Sequence, residues 1–293
     1  MMNNDASDLL RSAFDAYLIR RKSGGLEPSE KYLPYDFDRI DEFQWRLLGN
    51  DLVTDELREV TNNLNYWHVS LARWQAWNTI IQPYSADKAW ELRREFLEPL
   101  AHHCLLQPSA IRDTFTFLGT NSLHQVRLAS GTDYPDYLEG DPISPGVKPK
   151  LLTRSNKEKC LADLISIWPE SADFLASLHK IDDKAYRQAT SNYRNLASHS
   201  ISPRLGLGVT RAVVRSVEQA TQMTRQPDGT YLPTPIAGRM SVSYGFGGTE
   251  PLDMEDARAA NLEQYRRARE CYANYRIVLS AGLAFLPPVP PRS

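Results

Sequence analysis

Apolar residues recur along much of the chain at alternating three- and four-residue steps, the spacing that lays a single stripe along an α-helix. The clearest run is Leu57, Val60, Leu64, Trp67, Leu71, Trp74 and Ile81, interrupted at Asn78. It predicts a long amphipathic helix, capped by Thr54 or Asp55 and ended by Pro83. Trp67 and Trp74 fall within the stripe, so their rings are expected to pack a core rather than to stack on bases. Two further helices, over 86–107 and 109–127, are expected on either side of Pro108, because proline removes a backbone donor and crowds the turn before it. Helix is expected again over 156–181 with a bend at Pro169, onward past Asp182-Asp183 through Ser200, and finally over 254–283. A short helix is expected near the start, over 6–22.

The intervening stretches carry a different signature. Residues 23–37 and 130–150 are rich in Gly, Pro and Tyr and read as irregular. Residues 202–250 hold short β-prone runs, with a turn at Asp228-Gly229 and a strand over 240–246. The fold class is therefore all-α, a helical bundle with at most one small β-hairpin. Residues 1–53 read as an N-terminal helical appendage, 54–286 as the main helical domain and 287–293 as a Pro-rich tail.

Composition narrows the function classes. An apolar content of 42% suits a chain that builds a core, and a net charge of -2 argues against indiscriminate coating of nucleic acid, which needs many unopposed cations. Any phosphate contact must be local. Cys104, Cys160 and Cys271 lie far apart and form no paired motif, so buried thiols in a reducing compartment are expected rather than a zinc cage or disulfide framework. No apolar run is long enough to cross a bilayer, and the start Met1-Met2-Asn3-Asn4-Asp5 lacks a signal-peptide core, so no membrane association and a cytoplasmic location are expected.

The segment from Lys184 to Ser200 carries the candidate chemistry. On a helix, Tyr186, Ala189, Tyr193, Leu196 and Ala197 share one stripe, while Asn195 and His199 adjoin one another on nearly the opposite side and Arg194 lies about 100° from Asn195. The trio thus points away from its own core. From Lys184 to Val217 there is no Asp or Glu, whereas Lys184, Arg187, Arg194, Arg204, Arg211 and Arg215 are cationic, a pattern suited to docking phosphate. RNA can be cut without metal when its own 2′-hydroxyl attacks the adjacent phosphorus. Such a cut needs a histidine to move the proton, a cation against the developing charge and a group to hold them, and the trio has one of each. Elsewhere, His102-His103-Cys104 with Glu98 falls short of a metal set, and Gly245-Phe246-Gly247-Gly248 lacks the Lys-Ser/Thr of a phosphate loop.

Arg194-Asn195, three further residues and His199 near the end of a helix resemble the signature of HEPN domains, an Arg followed at four to six intervening residues by His, with a polar residue often right after the Arg. The long loop and extra helices resemble the larger members of that superfamily, over about residues 55–286. The resemblance implies an antiparallel helical bundle and a homodimer whose two signatures share one cleft. It also implies metal-independent RNA cleavage, commonly in defence, toxin or stress systems, with no cofactor. Arg194, Asn195 and His199 would be catalytic, Arg187 and Arg204 would bind substrate, and Asp113 or Glu95 would be the supporting acid on an earlier helix. Ile201 stands where members working with a nucleotidyltransferase antitoxin carry Tyr, so that partner is not expected. A non-catalytic relative binding RNA, nucleotide or protein is the alternative.

Overall fold

A computed structural model describes residues 4–131 and 133–290. The described chain is mostly helical with one two-stranded antiparallel sheet. It runs α1 Asn4–Lys22, a 3-10 turn at Asp38–Glu42, α2 Gly49–Ile81, α3 Ala86–Leu92, a π turn Arg93–Leu97 and α4 Glu98–Ser130. There follow α5 Arg154–Ile165, α6 Ser171–Lys180, α7 Lys184–Ala189, α8 Tyr193–His199, β1 Val213–Arg225, β2 Tyr231–Phe246 and α9 Met254–Leu283. It divides into two compact units, Met1–Arg194 with Met254–Ser293, and Asn195–Asp253.

In the larger unit α2 packs against α4 and α9, α6 against α9, and α4 against α5. Leu57, Leu64, Trp67, Leu71 and Trp74 are fully buried along α2, so the stripe read from the sequence is the core face. Trp77 stacks with Tyr17 of α1 at 4.7 Å between ring centroids and with Phe96 at 4.3 Å. The described N-terminal helix is thereby joined to α2. That helix starts earlier than a cap at Thr54 or Asp55 would have it. Val53 is buried, Asp51 lies in the first turn where a negative charge opposes the helix dipole, and Gly49 sits so close to Trp45 that a Cβ there would lie 3.0 Å from the indole.

Pro108 does not separate two helices but lies inside α4. Its missing N–H frees the carbonyl of Cys104, four residues back, and Asn261 Nδ2 of α9 donates to that oxygen at 2.8 Å. A tertiary hydrogen bond thus takes over from the lost helical one. Asn261 is fully buried, accepts from Trp67 Nε1 at 2.8 Å and donates to Tyr186 Oη at 2.9 Å. One amide therefore joins α2, α4, α7 and α9.

The continuous helix expected up to Ser200 is broken into short pieces. Asp182 (φ +51°), Ser191 (+49°) and Asn192 (+53°) occupy the left-handed region, which ends a helix and which Asp and Asn tolerate better than most residues. Asp183 Oδ1 caps α7 by accepting from the Tyr186 N–H at 2.8 Å, and the Asp182 N–H donates to Gln264 Oε1 at 2.7 Å. Of the expected stripe, Tyr186 and Tyr193 are buried but Ala189 is exposed.

In the smaller unit, β1 and β2 form a hairpin of 13 and 16 residues, longer than the strand expected over 240–246. Pairing runs from Val213↔Phe246 to Arg225↔Tyr231, with a register shift between Gln219 and Thr221. The turn lies at Asp228-Gly229: Asp228 Oδ1 accepts from the Thr230 N–H and hydroxyl, and Gly229 supplies φ +86°. At the base of the hairpin, bridges pair Thr210 with Thr249 and Leu205 with Leu252, both leucines being buried.

Candidate functional site

The candidate trio lies on α8, a helix of seven residues. Its first residue, Tyr193, is buried and shares a 2.9 Å hydrogen bond with His102 Nδ1 of α4, the two rings meeting edge to face. Arg194 follows, half-buried, and the division between the two units falls immediately after it. Asn195 and His199, one turn apart on α8, are exposed. Among the described residues none hydrogen-bonds or ion-pairs with the side chain of Arg194, Asn195 or His199. Their capacity for donors and acceptors is thus uncommitted.

The surrounding cations have different situations. Arg204 is exposed, and its stem lies over Gly208, where a Cβ would come within 2.9 Å of Arg204 Cδ. Arg211 donates to Ser200 Oγ. Arg187 is ion-paired instead: its Nη2 lies 2.9 Å from Asp182 Oδ2. Asp182 is buried and also receives Arg154 Nη1 at 2.9 Å, while Arg154 grips Asp113 with Nε and Nη2 at 2.7 Å each. Asp113 and Arg187, nominated from sequence for separate roles, therefore belong to one network, Asp113–Arg154–Asp182–Arg187. Burial works against the Arg154 charge, but the hydrogen bonds and charges of Asp113 and Asp182 outweigh it and hold the guanidinium above its ordinary range. Glu95 is exposed on the π turn before α4 and takes no part in this network.

Three histidine contacts were not legible in the sequence. His102 is exposed and held by Tyr193, whose place in an apolar stripe gave no hint of what its hydroxyl does. His103 instead meets Gln107 Nε2 at 3.1 Å, and burial, then the neighbouring His102, lowers its pKa. On the last turns of α4, His124 is buried, with Nε2 2.9 Å from Asp136 Oδ1 and Nδ1 3.1 Å from Tyr134 Oη. It anchors the start of the loop leading to α5. Between α4, that loop and α5 lies a cavity of about 860 Å³, with Phe117, Tyr134, Tyr137, Leu152 and Cys160 in its wall. Among the described residues, no group of three or more His, Cys, Asp or Glu is placed to hold a metal ion. Cys104 and Cys271 are buried and Cys160 half-buried, all three as free thiols.

No protein-family model, curated protein or solved structure matches this chain.

Proposed function

We propose that the chain is a metal-independent endoribonuclease of the HEPN type, its helical unit a HEPN-like bundle with added helices, acting in the cytoplasm as a homodimer with a composite site. The observation that carries the reading is the exposure of His199 one turn from Asn195, beside Arg194, on a helix whose flanks from Lys184 to Val217 hold no carboxylate. A neutral His199 takes the proton from a 2′-hydroxyl as its oxygen attacks the adjacent phosphorus and the bond to the 5′-oxygen breaks. Arg194 opposes the charge that gathers on the phosphorane oxygens, Asn195 orients the reacting groups, and Arg204 supplies a further phosphate contact. The leaving 5′-oxygen takes a proton from the partner copy's histidine or from water. The products are a 2′,3′-cyclic phosphate and a 5′-hydroxyl.

The purified chain is expected to cut RNA in EDTA and leave cyclic-phosphate ends, and His199→Ala is expected to abolish cutting while the helical circular dichroism is unchanged. Cleavage that EDTA stops, or that survives His199→Ala, overturns the reading. One observation favours the second reading, a module that binds RNA without cutting it: no described side chain orients the His199 ring, whereas a general base is ordinarily held by a partner. RNA retention that weakens with salt and gives no product would establish that role.

A further inference from the structure

The hairpin is amphipathic in an unusual sense: its apolar face is the exposed one. Cross-strand partners share a face, so Val213 and Val217 of β1 lie on the same side as Phe246, Tyr244, Val242 and Met240 of β2; past the register shift between Gln219 and Thr221, alternation along β1 carries that face on to Met223 and to Tyr231, across from Arg225. All eight are exposed, from about half for Val217 and Val242 to 72% for Tyr244 and 99% for Phe246. The opposite face is more polar, with Ser216 and Ser243 hydrogen-bonded to each other and Glu218 paired with Ser241; its exposed large apolar residues are two, Val214 across from Gly245 and Leu232 across from Thr224. The aromatic and aliphatic face carries no carboxylate; its two charges, Arg215 and Arg225, each stand directly across from a tyrosine, Tyr244 and Tyr231.

We infer that this face is a dimer interface, its occupant the same face of a second copy. Three features select that occupant. A lone two-stranded ribbon is marginal in water, and a ribbon with one apolar face is half of a two-layer sheet packing whose missing layer is another ribbon of the same kind. An identical face meets itself about a two-fold axis with apolar residues against apolar residues, as an isologous contact requires. The exposed portions of the eight side chains amount to surface on the order of 800 Å², which is what each partner of a standard interface buries. A phosphate polymer is a poorer fit, since only two of the residues on this face are cationic and the apolar ones dominate. The inference stands whether or not the chain cuts RNA.

The test is the solution mass of the full chain by light scattering or sedimentation, across micromolar concentrations. Wild type is expected at twice the 33.3 kDa of one chain. Val217→Lys with Val242→Thr, which keeps strand-compatible residues but puts a charge in the seam of both copies, is expected to weaken dimerisation about 100-fold or more, by like-charge repulsion. Ser216→Lys, on the opposite face, is expected to leave the mass unchanged. Helical circular dichroism and the thermal transition confirm that each variant folds. A monomeric wild type overturns the inference, as does a dimer indifferent to the Val217/Val242 change or one that only Ser216→Lys disrupts. A wild-type monomer that binds lipid vesicles through the Val217 face also overturns it and makes a bilayer the occupant.

Discussion

Asn261→Leu is the substitution that tests the organisation of the helical unit most directly. The two side chains are close in size, so packing changes little, but three polar atoms lose their partner. Trp67 Nε1 and the Cys104 carbonyl, to which Pro108 cannot donate, each lose the bond they make to the amide, whereas Tyr186 Oη retains a long contact to the Leu105 carbonyl at 3.4 Å. Two buried groups stripped of partners, at about 1–3 kcal/mol each, put the expected loss near 4 kcal/mol. Urea denaturation followed by tryptophan fluorescence and far-ultraviolet circular dichroism measures it. The same logic fixes the sign of a double-mutant cycle. Pro108→Ala restores a donor for the Cys104 carbonyl, and that donor matters more once Asn261 is gone. The substitution should therefore be more favourable in the Asn261→Leu background than in the wild type, by about 1 kcal/mol. A loss below about 1 kcal/mol for Asn261→Leu, or an additive cycle, would show that the amide is not what compensates the proline.

Stability should also respond to mild acid. Burial, reinforced by the charge of Arg269 and only partly countered by Glu30, holds the pKa of His68 below its ordinary value of 6.5. As pH falls below 6.5 the unfolded chain takes up the proton first, so the His68 contribution is complete above that pH and is lost progressively below it. His68→Gln should flatten the fall in melting temperature between pH 7 and pH 5, His103 accounting for part of what remains; an unchanged slope refutes the assignment. Arg154→Met removes one of the two cations on buried Asp182 and the bidentate partner of Asp113, and is expected to cost about 3 kcal/mol in chemical denaturation. A cost within about 0.5 kcal/mol would mean that Arg187 alone satisfies Asp182.

Long stripes were legible in the sequence, and the places where they stop were less so. The seam of α2 and the span of α9 are legible because most of their large apolar residues are buried in the helical unit, Ile277 of α9 being an exposed exception. The continuity of α4 through Pro108 was not legible: the group that compensates the proline lies on α9, over 150 residues later. Nor was the break at Asp182, fixed by a cap from Asp183 and a bond to Gln264, or the one at Ser191-Asn192, where the Asn192 N–H turns back to the Arg187 carbonyl. Exposure of Asn195 and His199 was readable even though the long helix was not, since a single turn suffices to align residues four apart. The acid-free window said less than it seemed to. The anion that meets Arg187 is Asp182, two residues before the window opens. The ribbon was seen only at 240–246 because Arg215 and Gln219 interrupt the apolar alternation of β1.

Two turns of helix are too few to hold together on intrinsic propensity, and α8 enters from a left-handed pair, Ser191 and Asn192, with Tyr193 as its buried anchor. Amide protons beyond that anchor should therefore exchange with solvent through local opening, long before those of α2 or α9. A strand of nucleic acid settling on Asn195 and His199 would then have to order the segment as it binds. Such an encounter is enthalpy-driven, opposed by entropy and weakened by warming, and calorimetry at two temperatures would register it.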